Sequence, residues 1–124
     1  MCKVVKKKIG DRTIRVADIK FKYMINIVDA AKECDYIDRI VLFGSSIDSR
    51  CKEESDIDLA IFGNVSKSKC LTSKKYEKFL EKVISFDNFN QAYDILYFKS
   101  GKEDKSAIME DISKGEVLYE SAEL

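Results

Sequence analysis

The sequence predicts an α/β domain in which helices pack on a small β-sheet. Two observations predict it. Amphipathic segments with helical spacing alternate with short apolar segments of strand length, and strands that alternate with helices form a helical layer on a sheet. No repeat or Pro/Gly-rich linker divides the 124 residues, 45% of which are hydrophobic. A chain of this length can bury one core but not two, so we predict a single domain over residues 1–124.

The N-terminal half is predicted to contain a strand, a helix and two more strands. Residues 3–8 have the composition of a short strand. Between about residues 17 and 34, apolar side chains recur three and four positions apart, which predicts an amphipathic helix. Residues 40–43 and 57–62 are apolar runs that end at Gly-containing turns, as buried strands do.

The C-terminal half repeats the alternation of helix and strand. Apolar residues between 76 and 84 define one helix face, and residues 92–98 form a third strand-like run. A short helix through residues 108–112 is expected to end at Gly115, where glycine relieves the strain of a left-handed C-terminal cap. Residues 117–119 are predicted to form a last short strand.

The composition excludes several classes of function. The chain has no histidine, so catalysis and zinc binding that depend on imidazole are excluded. Its four cysteines, at positions 2, 34, 51 and 70, form no C-x-x-C pair and are expected to be reduced thiols of a cytoplasmic protein. The longest apolar runs have four residues, too few for a membrane span or a signal peptide.

The charge is balanced overall but unevenly distributed. Lys and Arg number 22, as do Asp and Glu, which gives no strong signal for nucleic-acid binding. Residues 1–22 carry eight basic and two acidic side chains, whereas residues 103–124 carry two basic and seven acidic ones. The two segments are solvated faces of opposite sign, or one of them docks a charged partner.

Two aspartates mark the start of the second buried strand. Side chains alternate along a strand, so Asp56 and Asp58 share one face while Ile57, Leu59 and Ile61 point into the core. Like charges this close repel each other unless a cation lies between them. Carboxylate oxygens favour Mg²⁺ or Mn²⁺.

Asp94 interrupts the otherwise apolar run of residues 92–98. We expect it to be buried, and an unpaired buried carboxylate costs several kcal/mol. If its strand lies beside that of Asp56 and Asp58, three carboxylates can hold two ions that polarise a phosphoryl group.

Gly44 and Ser45 are the candidate phosphate-binding residues. The strand before them ends abruptly, and a turn at this point presents backbone N–H groups to an anion. Glycine allows a phosphate to approach the main chain, and the Ser45 hydroxyl can add a hydrogen bond.

These motifs resemble those of the nucleotidyltransferases related to DNA polymerase β, in their smallest form, the minimal nucleotidyltransferases. The resemblance rests on Phe43-Gly44-Ser45, on Ser55-Asp56-Ile57-Asp58-Leu59, on Asp94 in a later strand and on the closing segment 112–119, and it spans about residues 17–119. It implies the polymerase β-like fold, with a small mixed β-sheet. It also implies that Gly44 and Ser45 contact the triphosphate, that Asp56 and Asp58 bind metal, and that Asp94 helps to activate the acceptor hydroxyl.

The phosphate-binding loop departs from the pattern of many members. Asp48 lies where those members have a basic or aromatic residue, and Arg50 and Lys52 are the nearby cations that could compensate.

The resemblance implies an Mg²⁺-dependent transfer of AMP from ATP to a hydroxyl, with two ions and release of pyrophosphate. Stand-alone domains of this kind often act as antitoxins that adenylylate a tyrosine on a helical ribonuclease toxin of the HEPN type. Two alternatives stay open: a noncatalytic module that neutralises or scaffolds a partner by contact, and transfer to a small molecule such as an aminoglycoside.

Overall fold

The computed structural model describes residues 3–121 and confirms the α/β prediction. Six strands and four α-helices form in chain order, with 3₁₀ turns at Asp18–Lys20 and Gly44–Ile47: β1 (Val4–Ile9), β2 (Arg12–Ala17), α1 (Phe21–Ala31), β3 (Ile37–Phe43), β4 (Ile57–Gly63), α2 (Lys67–Leu71), α3 (Lys74–Ser85), β5 (Tyr93–Lys99), α4 (Ile108–Ser113) and β6 (Glu116–Glu120). Within this range no helix has the length and apolar character needed to cross a membrane.

The central sheet has four strands in the order β5-β4-β3-β6 and is mixed. Strand β3 pairs antiparallel with both β4 and β6, whereas β4 and β5 run parallel. A parallel pair needs a crossover connection, and α2 and α3 lie in the segment between β4 and β5. This crossover places the starts of β4 and β5 at the same end of the sheet.

The sheet is buried on both faces. On one face, Ile57, Leu59 and Ile61 pack in the main core with residues of α1 and α3, as predicted for these three side chains. On the other face, Ala60 and Phe62 belong to a second cluster, which Ile108, Met109 and Ile112 of α4 complete. The face that carries Asp58 is therefore polar only at the start of β4 and apolar beyond it.

A β-hairpin precedes the first helix, and its second strand was not predicted. Strands β1 and β2 pair antiparallel around Gly10, whose φ of 60° suits a tight turn. The signal was present in the sequence, because polar and apolar residues alternate along β2 and bury Ile14 and Val16. The predicted helix consequently begins later than expected, at Phe21.

Two other local predictions need correction. Helix α2 was missed because its five residues, which begin after the N-cap Ser66, contain too few apolar positions to show a period. The left-handed cap predicted at Gly115 is wrong, since this residue is not among the glycines with positive φ. Glycine is required there for space: a Cβ would lie 2.4 Å from the carbonyl oxygen of Leu42.

Three of the four cysteines lie within the described residues. Cys34 and Cys70 are buried free thiols and Cys51 is buried as well, and burial raises the pKa of the Cys70 thiol to about 11. A thiol of this kind is structural rather than reactive. Cys2 lies outside the described residues.

Candidate active site

Asp58 and Asp94 lie side by side on neighbouring strands. The parallel register of β4 and β5 makes them direct partners, and such strands are about 4.8 Å apart. Asp56 immediately precedes β4, and the amide of Ile57 donates to the carbonyl of Ala92 over 3.0 Å where the two strands begin. The strand of Asp94 thus lies beside that of Asp56 and Asp58, as the sequence hypothesis required.

Asp94 is exposed, however, so the prediction that it is a buried carboxylate is wrong. It is the second residue of β5, which lies at the edge of the sheet. At the start of an edge strand a side chain reaches solvent, although the residues that follow it are apolar. The half-buried carboxylate is Asp58.

Electrostatics link the three aspartates. Burial raises the pKa of Asp58, and the negative charges of Asp94 and then Asp56 raise it further. The ionised form of Asp58 is therefore less favourable in the folded protein than in an isolated aspartate. A cation beside this carboxylate would reverse that effect.

Gly44 packs directly against Asp58. Its neighbour Phe43, the last residue of β3, pairs with Asp58 across the antiparallel ladder. A Cβ on Gly44 would lie 2.2 Å from Asp58 Oδ2, and the φ of 75° is itself unfavourable for other residues. Both the space and the backbone conformation therefore require glycine where the chain passes the carboxylate.

The residues that follow form one 3₁₀ turn, Gly44–Ile47. The first N–H groups of such a turn have no partner within it and can face an anion. Ser45 is partly exposed. Ser46 is fully buried, and its hydroxyl has no hydrogen-bond partner among residues 3–121.

The acidic residue after this turn is paired within its own loop. Arg50 donates from Nη2 and Nε to Asp48 Oδ2 at 2.7 and 3.0 Å, and its backbone amide donates to Asp48 Oδ1 at 2.8 Å. These bonds lower the pKa of Asp48. Arg50 therefore compensates the charge of Asp48 and, as placed here, brings no net positive charge to the turn.

Comparison with known families decides the classification. The sequence matches the family described as "Polymerase beta, Nucleotidyltransferase" over residues 25–124. The chain belongs to this nucleotidyltransferase family. No curated protein matches the sequence. The mixed sheet with helices packed on it agrees with the polymerase β-like fold.

The donor set of this nucleotidyltransferase suits a hard divalent ion. Asp56, Asp58 and Asp94 offer carboxylate oxygens of the kind Mg²⁺ prefers, and burial together with the charges of Asp94 and Asp56 raises the pKa of Asp58. Within residues 3–121, no three acidic or cysteine side chains are close enough together to hold one ion as they stand. The residues thus fit Mg²⁺ in chemistry and in strand placement, and their side chains would have to turn to coordinate it.

Sequence reasoning missed two polar side chains beside this site. Lys20 and Gln91 are buried, with exposures of 1% and 5%. Lys20 lies four residues before Met24, on the apolar stripe that α1 continues, and a lysine on such a stripe was the available signal. Gln91 had no comparable signal.

Proposed function

We propose that this protein transfers a nucleoside monophosphate from an Mg²⁺-bound nucleoside triphosphate, ATP in the first instance, to a hydroxyl of a partner protein, releasing pyrophosphate. The observation that carries the proposal is the packing of Gly44 against Asp58, which is itself in register with Asp94. Together these residues bring a turn suited to phosphate next to carboxylates suited to a metal ion.

In this proposal each group has the role that the resemblance implies. The turn at Gly44 and Ser45 would bind the triphosphate, and Asp56 and Asp58 would hold the metal. Mg²⁺, when bound, would offset the phosphate charge and polarise the phosphoryl group. The acceptor oxygen bonds to the α-phosphorus, the bond from that phosphorus to the pyrophosphate oxygen breaks, and Asp94 accepts the hydroxyl proton.

The exposure of Asp94 supports a large acceptor. This carboxylate is at the solvent-exposed start of an edge strand, where a side chain of another protein can reach it. We propose, on the resemblance to minimal nucleotidyltransferases, that the acceptor is a tyrosine hydroxyl on a helical ribonuclease toxin of the HEPN type.

Transfer is tested with ATP labelled at the α-phosphate, Mg²⁺ and the proposed partner, a purified helical ribonuclease toxin of the HEPN type. Label is expected on the toxin, and Asp58→Asn is expected to reduce the labelling by at least about 100-fold, the scale of removing an essential electrostatic group. ATP labelled at the γ-phosphate should leave no label. Asp29→Asn, which changes an exposed aspartate on α1, is the matched control and should transfer normally.

A noncatalytic binding module is the second candidate. It is favoured by the acidic Asp48 beside the proposed phosphate turn and by the lack, within residues 3–121, of three side chains already set to hold an ion. Neutralisation of the partner by Asp58→Asn as effectively as by the unaltered protein would establish this candidate. Labelling of an aminoglycoside in the absence of any protein partner would instead replace the protein acceptor with a small molecule.

A further inference from the structure

A buried lysine lies beside the starts of the strands that carry the aspartates. Lys20 is 1% exposed, and burying an ammonium group is costly unless its hydrogens find acceptors. The group has three donor hydrogens. Among the described residues, Lys20 Nζ donates to Gln91 Oε1 at 2.6 Å, to the carbonyl of Ser55 at 2.8 Å and to the carbonyl of Glu53 at 2.9 Å.

Gln91 extends these bonds from one strand to the next. Its Nε2 donates to the carbonyl of Ser55 at 2.9 Å and to the carbonyl of Ala92 at 2.7 Å. The carbonyl of Ala92 also accepts from the amide of Ile57. The chain before β4 and the chain before β5 are therefore joined to each other and to Lys20.

These bonds lie next to the aspartates in the sequence. Asp56 directly follows Ser55, and Asp94 is two residues after Ala92. The register of two strands decides which side chains meet, and a slip of one residue turns a side chain to the opposite face. A constraint at the first bond between β4 and β5 therefore contributes to the register that places Asp58 beside Asp94.

We propose that Lys20 and Gln91 are positioning residues that hold Asp56 and Asp58 in register with Asp94. Neither needs to touch the substrate. The proposal rests on the proposed function for the use made of the carboxylates. That the segments before β4 and β5 are joined does not depend on the proposed function, because it follows from the hydrogen bonds.

The test variants are Lys20→Met and Gln91→Met, in which an unbranched side chain of similar length replaces the one that makes the hydrogen bonds. The control is Lys32→Met, which changes an exposed lysine at the end of α1. Affinity for Mn²⁺ is measured by titration of the protein without nucleotide. Both network variants are expected to bind Mn²⁺ about 10- to 100-fold more weakly, as loss of groups that orient metal ligands does. Lys32→Met is expected to bind it normally.

Two further measurements separate positioning from a general loss of stability. Hydrogen exchange at the amide of Ile57 should accelerate in Lys20→Met and Gln91→Met, while amides of β3 keep their rates. In the transfer assay, kcat should fall with the Mn²⁺ affinity, whereas KM for ATP should stay within about threefold because the turn at Gly44 is untouched.

The outcomes distinguish this proposal from the proposed function. Weakened Mn²⁺ binding in the variants, together with no transfer by any form of the protein, would support positioning and reject the enzyme. Normal transfer and normal Mn²⁺ binding by a folded Gln91→Met would reject positioning and leave the enzyme intact. If Lys20→Met does not fold, Gln91→Met decides the question, because it removes an uncharged partner. An unaltered protein that binds no Mn²⁺ would overturn the proposal.

Discussion

Gly44 and Asp58 are the residues on which the candidate site depends most closely, because the main chain of one is packed against the carboxylate of the other. Their contact explains why a strand that ends at a glycine occurs together with an aspartate in the next strand. The resemblance singled out both residues, whereas their contact follows only from the antiparallel register of β3 and β4.

Gly44→Ala should destabilise the protein through this contact. Gly44 and Gly101 have almost the same φ, 75° and 78°, but a Cβ on Gly101 would have nothing within 4 Å. The left-handed conformation alone costs alanine about 1–2 kcal/mol. We expect Gly101→Ala to lose about that much stability in urea unfolding and Gly44→Ala to lose at least about 1 kcal/mol more, as overpacking does. Equal losses would contradict the contact.

Asp58→Asn should stabilise the protein at neutral pH in the absence of divalent ions. The folded protein raises the pKa of Asp58, so the folded state binds this proton more tightly than the unfolded state does. Stability therefore falls as pH rises from the unfolded value of about 3.9 through the raised folded value. The asparagine variant lacks this loss of stability, so it should unfold at a higher temperature than the unaltered protein at pH 7 and at a similar temperature below about pH 4.

Thermal unfolding at both pH values without divalent ions checks this prediction. Added Mg²⁺ should narrow the difference at pH 7, since a bound cation favours the ionised carboxylate. A lower melting temperature for Asp58→Asn at pH 7 would show that the carboxylate is stabilised by the protein itself.

At the scale of elements, the basic and acidic ends of the chain are partly paired with each other. Arg12 forms an ion pair with Glu120, and Arg15 with Glu116, across the contact between the β1–β2 hairpin and β6. Oppositely charged residues from the two ends of the chain therefore join the β1–β2 hairpin to β6.

Glu116 should contribute more to stability than an ordinary surface glutamate. Its Oε1 accepts from the backbone amide of Arg15 at 2.7 Å and its Oε2 from the guanidinium at 3.2 Å. We expect Glu116→Ala to cost about 1–2 kcal/mol in urea unfolding, somewhat less than hydrogen bonds to a buried charged group because Arg15 is exposed. The control is Glu110→Ala, which removes an exposed pair with Lys114 and should cost no more than about 0.5 kcal/mol. Similar costs would mean that the hairpin is not held through Glu116.

The elements could be predicted from local pattern to different degrees. The buried strands β3, β4 and β5 were predictable because each is a short apolar run bounded by turn residues. The exposure of Asp94 was not, since it depends on β5 being the edge strand of the sheet. The bond from Lys20 to Gln91 joins residues 71 positions apart, and no local pattern specifies such a partner.

At the scale of the whole molecule, a mixed sheet brings distant parts of the chain to one end. The antiparallel pair β3–β4 places the Gly44 turn beside Asp58, and the parallel pair β4–β5 adds Asp94. The family match and this topology agree on a polymerase β-like nucleotidyltransferase. The central claim is that these carboxylates and this turn together bind a metal–nucleotide complex.

The most direct measurement is a crystal structure of the protein with Mn²⁺ and an ATP analogue whose bridge between the α- and β-phosphorus is a methylene group. The account predicts an anomalous peak for Mn²⁺ within coordination distance, about 2–2.5 Å, of Asp56 and Asp58. It also predicts that the triphosphate contacts the turn at Gly44 and Ser45. Ordered nucleotide bound elsewhere, or Mn²⁺ that contacts neither aspartate, would contradict it.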